Sequence, residues 1–392
     1  MDKQNLQTLA STFGTPVFVF DEIQLENRVK VIKKIVGKNI HLCYSIKANP
    51  FLIQPMRRVV EMLEVCSPGE LEICATLGVD PDTILFSGVN KTKSDIDRAV
   101  RLGVHNFTAE SLLHVTLLNE IAQKYNCTLP VILRITTGSQ FGMDEKDLLD
   151  TIAHRDTFKG LSIEGLHYFP GTQQKKPSQQ DKDIDFLCTL MDKLSAEYNF
   201  TVKRIEYGPG LHFPYFTTDN CEDTLEPLLN IVDRLQMLAQ RAELTIEMGR
   251  FFVSECGTYL TTVVDSKQNC STNYAILDGG IHHVNYYGGN MGMRIPHITH
   301  LHKNVVSGNK TSTWTLCGSL CTTADVLVRS VPLCELQIGD VLAFHNIGAY
   351  SVTEGPNLFL SRDLPRIVLC RDENARLLRD VIHSFSINTP NL

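Results

Sequence analysis

One lysine set among apolar residues is the first candidate for chemistry. In "HLCYSIKANP" (residues 41–50) Lys47 closes a run that reads as a buried strand stopping at Pro50. An ammonium is costly to bury, so the amine either reaches solvent along its aliphatic stem or is held in place for a reaction. Desolvation lowers a lysine pKa, and a neutral amine attacks carbonyl carbons. Glycines cluster in "FPGTQ" (169–173), "EYGPGL" (206–211) and "EMGR" (247–250). Glycine after a strand lets backbone N–H groups approach an anion closely. Gly208, Gly210 and Gly249, with the Thr172 hydroxyl and the Arg250 guanidinium, could together grip a phosphate. Any one of these segments taken singly is better explained as a turn.

Histidines offer less. His282 and His283 follow a glycine pair, and "HITHLH" brings His297, His300 and His302 close in sequence. His300 and His302 would share a strand face, but no Cys or carboxylate nearby completes a ligand set. No metal is expected, and these are read as solvated or substrate-facing loop histidines. Glu70 and Glu72 read as charges at a helix start.

The elements that must position these groups follow from periodicity. From about residue 28 to 250, short β-rich runs ("HLCYSI", "TILFSG", "PVILRIT", "RIEYGPG", "LTIEMGR") alternate with amphipathic stretches such as "KSDIDRAVRLG". Six to eight such units predict a closed parallel (β/α)8 barrel, a TIM-type α/β fold, with reactive groups at the C-terminal strand ends. Beyond residue 250, "FFVSECGTYLTTVVDS", "NYAILDGG", "STWTLCG" and "DVLAFHNIGAY" read as strands of a β-rich second domain. We expect the barrel over residues 22–255. Residues 1–21, with the strand "PVFVFD", would join 256–392.

The 392 residues carry a net charge of −7, twelve scattered cysteines and no Cys-x-x-Cys pair. That balance argues against nucleic acid or an anionic membrane as partner, and for reduced thiols in a cytoplasm. No apolar run reaches the roughly 20 residues of a membrane span, and the first residues lack a signal-peptide pattern.

The order of motifs is more telling than any one of them. Lys47, "VCSPGELEICATLG" (65–78), "GVNK" (88–91), "LHYFPGTQ", "EYGPG", "EMGR", "GSLCTTADVL" (318–327) and "GAY" (348–350) together resemble the alanine-racemase-like decarboxylases that use pyridoxal phosphate. Diaminopimelate and ornithine decarboxylases belong to that family. The resemblance implies that Lys47 carries the cofactor aldehyde and that Glu247 pairs with the pyridine nitrogen. It implies that Gly208, Gly210, Thr172, Gly249, Arg250 and Tyr350 surround the phosphate, with Glu64 and Arg134 beside the cofactor. Cys321 matches a cysteine supplied by the second subunit, so a homodimer is implied.

Three departures bear on the substrate. The phosphate turn reads Gly208-Pro209-Gly210, which lacks one N–H donor. Phe169 stands where the diamine enzymes stack a histidine on the cofactor ring. Thr322 follows Cys321 where many relatives place a carboxylate that grips a distal ammonium, and a hydroxyl cannot offset that desolvation comparably. With "DGGIHHVNYYGGNMGMRIP" (278–296), these features are similar to a subgroup typified by a carrier-protein-linked glutamate decarboxylase of butirosin biosynthesis. The subgroup implies a substrate without a free distal cation, such as a carrier-bound aminoacyl group or a siderophore-type conjugate, with Thr322, His283 and Arg294 facing it. A diamino-acid decarboxylase, a racemase on the same barrel and a silent homologue that binds proteins remain as rivals. Glu247 in place of an arginine speaks against the racemase, and intact cofactor residues against the silent form.

Overall fold

The computed structural model describes residues 1–219, 223–286, 292–303 and 311–391. It divides into two compact units, one of residues 28–213 with 223–252, the other of 1–27, 214–222 and 253–392.

The first unit is a closed barrel of eight parallel strands: β2 (Ile40–Ser45), β3 (Met62–Val65), β4 (Ile84–Phe86), β5 (Asn106–Ala109), β6 (Leu129–Arg134), β7 (Leu161–Tyr168), β8 (Arg204–Tyr207) and β9 (Glu243–Met248). Helices follow most strands, and their starts are legible in the residues. Thr92 and Asp95 form a reciprocal cap before the helix Lys93–Arg101, which buries Ile96 and Ala99. Ser111 caps Leu112–Lys124, which buries Val115, Leu118 and Ile121. Alternation along the strands sends one set of side chains under the helices and the other into the barrel. The buried set is unusually polar for a core: Ser45, Glu64, Thr108, Arg134, His167, Glu206, Thr245 and Glu247 are all nearly inaccessible.

In the second unit β1 (Val17–Asp21) is an interior strand. It pairs antiparallel with β10 (Gly257–Asn269) and parallel with β16 (Arg366–Arg371). The sheet runs β14 (Val326–Cys334), β13 (Thr311–Cys317), β11 (Thr272–Leu277), β10, β1, β16, β17 (Asn374–Arg379), with β15 (Val341–His345) bridging β10 and β12 (Ile298–Leu301). Leu6 and Leu9 of the first helix pack with Val17, Val19, Leu260, Leu301, Ala343 and Val368. The barrel and the strand-rich unit bear out the expected architecture. One local expectation fails: "FFVSEC" is not strand but a helical turn, Arg250–Val253, and a 3-10 turn, Ser254–Cys256, so β10 begins at Gly257. Apolar content alone cannot separate a short buried helix from a strand.

Candidate active site

Strand β2 lies between β9 and β3, with Cys43 opposite Glu247 and Ser45 opposite Glu64. Two carboxylates from distant parts of the chain therefore flank the residue that follows. The strand stops at Ser45, short of the lysine, and a 3-10 turn Ile46–Ala48 lifts Lys47 off it. Buried Ile46 and Ala48 anchor this turn, and the Tyr44 hydroxyl donates to the Asn49 carbonyl at 2.8 Å. Lys47 Nζ donates to Glu64 Oε2 at 2.8 Å and stands 3.6 Å from Glu247 Oε1. Its side chain is 40% exposed, whereas those of Glu64 and Glu247 are 2% and 4%. The amine is thus held by buried acids at an open mouth, which combines both readings the sequence left standing. Lys91 of "GVNK", by contrast, is buried against the Ser87 and Gly88 carbonyls, and burial pushes its pKa down to about 8.

Glu247 is fixed from two sides: the Ser45 hydroxyl donates to Oε1 at 2.9 Å, and His167 Nε2 lies 3.0 Å from Oε2. Burial works against its ionisation, but the Lys47 ammonium and then His167 outweigh it and hold the carboxyl well below the usual range. Glu206 goes the other way: burial, then the neighbouring Glu247 and Glu64, raise it far above that range. Burial also raises the Cys43 and Cys66 thiols, so Cys66, 3.5 Å from Lys47 Nζ, is a poor nucleophile. The barrel mouth therefore favours ionisation at Glu247 and opposes it at Glu206 and at the two thiols.

Beside these groups the backbone is laid bare. Gly210 has φ +60°, and a Cβ there would stand 1.9 Å from the Gly171 carbonyl oxygen. A Cβ on Gly208 would meet the Phe169 ring at 2.3 Å, so that ring packs directly over the turn. Gln180 Nε2 donates to the Pro209 carbonyl at 3.2 Å, and the Gln174 N–H to the Gly210 carbonyl at 2.8 Å. Thr172 is exposed. Gly249 lies against Ser45 and Ala48, and Arg250 begins the turn after it. Arg134 ends β6 level with His167, bonded to Glu110 at 3.1 Å and 4.9 Å from the Phe141 ring centre. An ionised carboxylate, a half-open lysine, an aromatic ring and a side-chain-free glycine turn fit a charged, planar, phosphorylated aldehyde such as pyridoxal phosphate.

The remaining expected residues belong to the second unit. Cys321 is exposed and lines a cleft of about 370 Å3 together with Arg362, whose Nη2 donates to the Ser319 carbonyl at 2.8 Å. Thr322 is exposed, and its hydroxyl accepts from the Ala324 N–H. Tyr350 has φ +66°, and its carbonyl accepts from the Thr353 and Glu354 N–H groups. His282 and His283 are not solvated but buried, with His283 Nδ1 2.8 Å from the Tyr259 hydroxyl. Arg294 is 47% exposed, 3.8 Å from Asp219. Tyr287–Met291, inside the glycine-rich segment quoted above, lie outside the described residues. Sequence reasoning missed Ser45, His167 and Glu206. The alternation of "GLHYF" and "RIEY" was the available signal, since it places His167 and Glu206 on inward positions of β7 and β8. A carboxylate also joins the histidine group after all: Asp340, 40 residues on, lies 2.8 Å from His300.

A family model described as "Pyridoxal-dependent decarboxylase, pyridoxal binding domain" matches residues 22–254. The L-glutamyl-[BtrI acyl-carrier protein] decarboxylase of Niallia circulans is 27% identical, the match covering 97% of this chain and 94% of that protein. The diaminopimelate decarboxylase of Aquifex aeolicus is also 27% identical, over 96% and 91%. A crystal structure of AQ1208 from Aquifex aeolicus superposes with a TM-score of 0.87 at 26% identity, covering 97% of this chain and 93% of that one. This chain belongs to the pyridoxal-dependent decarboxylases, carboxy-lyases that act on amino acids with pyridoxal phosphate as cofactor.

Proposed function

We propose that this decarboxylase removes the α-carboxylate of an amino-acid group whose distal end carries no free cation, such as an aminoacyl group on a carrier protein. The observation that carries this reading is the turn Cys321-Thr322-Thr323-Ala324, which offers hydroxyls where a diamino acid would need a carboxylate. Asp325 cannot stand in. It is 2% exposed, and its oxygens accept the Ile281 and Leu320 N–H groups at 2.8 and 2.7 Å. The similarity to an enzyme named for a glutamyl-carrier substrate supports the same conclusion.

Pyridoxal phosphate, when bound, supplies an electron sink for the charge left on Cα as carbon dioxide departs. Lys47 would hold its aldehyde carbon, and Glu64 would keep the released amine in place during turnover. Glu247, ionised and oriented by Ser45 and His167, would keep a proton on the pyridine nitrogen. Phe169 would stack on the ring, flanked by Glu64 and Arg134. The backbone at Gly208, Gly210 and Gly249, with Thr172, Arg250 and Tyr350, would bind the phosphate. Cys321 of a second copy would return a proton to Cα, which makes the working form a homodimer. Thr322, with Arg294 further out, would bound the substrate's distal end, whereas buried His283, held by Tyr259, is withdrawn from that role. Among the described residues no helix is long and apolar enough to cross a membrane. We assign the enzyme to the cytoplasm, where its cysteines would remain thiols.

The deciding test is a carbon dioxide release screen of free glutamate, ornithine, lysine and diaminopimelate against aminoacyl-carrier conjugates. Release from conjugates or glutamate supports the reading. Release from free diamino acids alone overturns it.

A further inference from the structure

Away from the barrel, β12 carries histidines at alternate positions, His300 within the strand and His302 directly after it. Alternation places both on one face. β15 runs antiparallel beside β12, with Leu301 opposite Val341 and His300 opposite Leu342, so the residue before β15, Asp340, arrives at the same spot. His300 Nε2 lies 2.8 Å from Asp340 Oδ2, and His302 Nδ1 lies 4.0 Å from it. One donor atom from each of the three falls within 4.8 Å of the others. We infer that His300, His302 and Asp340 form a binding site for a divalent late transition ion, zinc in the first place, which clips the end of β12 to the turn before β15.

Three features favour an ion over a plain hydrogen bond. Donors about 2.0–2.2 Å from a zinc ion stand about 3–3.5 Å apart, and the two separations from Asp340 bracket that range. Asp340 is already oriented: Lys303 N–H donates to Oδ1 at 2.8 Å and Gln337 N–H to Oδ2 at 2.9 Å, the kind of outer bonding that fixes a ligating carboxylate. The two imidazoles are pressed together with ring centres 3.8 Å apart, and the Nδ1 atoms of both are buried without a hydrogen-bond partner. A cation would give the buried, unpartnered His302 Nδ1 a bond, while His300 Nε2 would exchange its bond to Asp340 for a metal bond. Imidazole and carboxylate without thiolate suit zinc, cobalt or nickel. The His300 and Asp340 side chains are 7% and 2% exposed and that of His302 is 30%, so the fourth position opens on the solvent side.

The test uses the full-length, cofactor-loaded chain after chelator treatment, titrated with zinc chloride by calorimetry and followed by thermal melting. The wild type is expected to take up one high-affinity equivalent and to melt at higher temperature with zinc. His302→Ala, altering the most exposed donor, is expected to weaken that affinity at least about tenfold and abolish the thermal shift. A copper(II) substitution read by paramagnetic resonance adds a check on ligand identity, with coupling to two nitrogens in the wild type and one in His302→Ala. No uptake by the wild type, or equal affinity and equal nitrogen coupling in both proteins, overturns the site.

Discussion

Replacing Glu247 by glutamine removes a buried carboxylate that its neighbours at the barrel mouth hold ionised, and keeps its shape. At 3.6 Å from Lys47 Nζ, a unit charge pair would be worth about 4–5 kcal/mol at an effective dielectric constant near 20. The 40% exposure of Lys47 lets solvent screen most of that, leaving about 1–2 kcal/mol. The charge-assisted bond from His167 adds about 1.5–3 kcal/mol, because glutamine accepts it only as a neutral amide. A carboxylate that holds a proton on the pyridine nitrogen acts as charge develops, so this loss should fall on kcat. Together these losses come to about 2.5–5 kcal/mol, so we expect a decrease of roughly a hundred- to a few-thousandfold. Lys47 and the glycine turns are untouched, so cofactor loading, read from the absorption of the bound group, should remain full. Carbon dioxide release under saturating substrate measures the first quantity and spectral titration the second. A fully loaded Glu247→Gln enzyme with kcat within about twofold of wild type would refute the assigned role.

Other substitutions reach other parts of the site. Cys321→Ala should slow turnover while leaving cofactor loading intact, and unchanged turnover removes Cys321 from proton return. Thr322→Glu should raise kcat/KM for ornithine or lysine at least about tenfold relative to the native substrate, as measured by competition. Gly210→Ala must accommodate both the positive φ and the Gly171 carbonyl, so a loss of about 2–4 kcal/mol in thermal unfolding and weakened cofactor affinity are expected. Glu206 has a raised folded pKa, so its stabilising contribution is complete below the ordinary carboxylate range and is lost as pH rises towards that folded value. Melting curves against pH should therefore show Glu206→Gln gaining on wild type by about 1.4 kcal/mol per pH unit from near pH 4.5 upward. A constant difference would contradict that protonation state.

Strand patterning carried the barrel because each βα unit is a local signal, and "TILF" or "PVILR" next to an amphipathic helix leaves few alternatives. Lys47 was legible as a reactive group, but its lift onto a 3-10 turn was not, since the bonds from the Tyr44 hydroxyl to the Asn49 carbonyl and from the Asn49 N–H to the Ile46 carbonyl that mark it leave no trace in residue patterning. Glu64 and Glu247 were identified through motif order. That they clasp one amine follows from β2 lying between β3 and β9, a register no local pattern encodes. The same limit hid Asp340 from His300 and His302. His283 shows the opposite error: a histidine after two glycines reads as a loop residue, yet the fold closes over it and pairs it with Tyr259.

The interior place of β1 sets an order on biosynthesis. Val17–Asp21 leaves the ribosome early, but its neighbours Gly257–Asn269 and Arg366–Arg371 come much later. All eight barrel strands, ending at Met248, are available before either neighbour is complete. The emerging chain must therefore carry "VFVF" without either strand partner until Gly257–Asn269 has been made, a wait that a strand paired with its sequence neighbour would not impose.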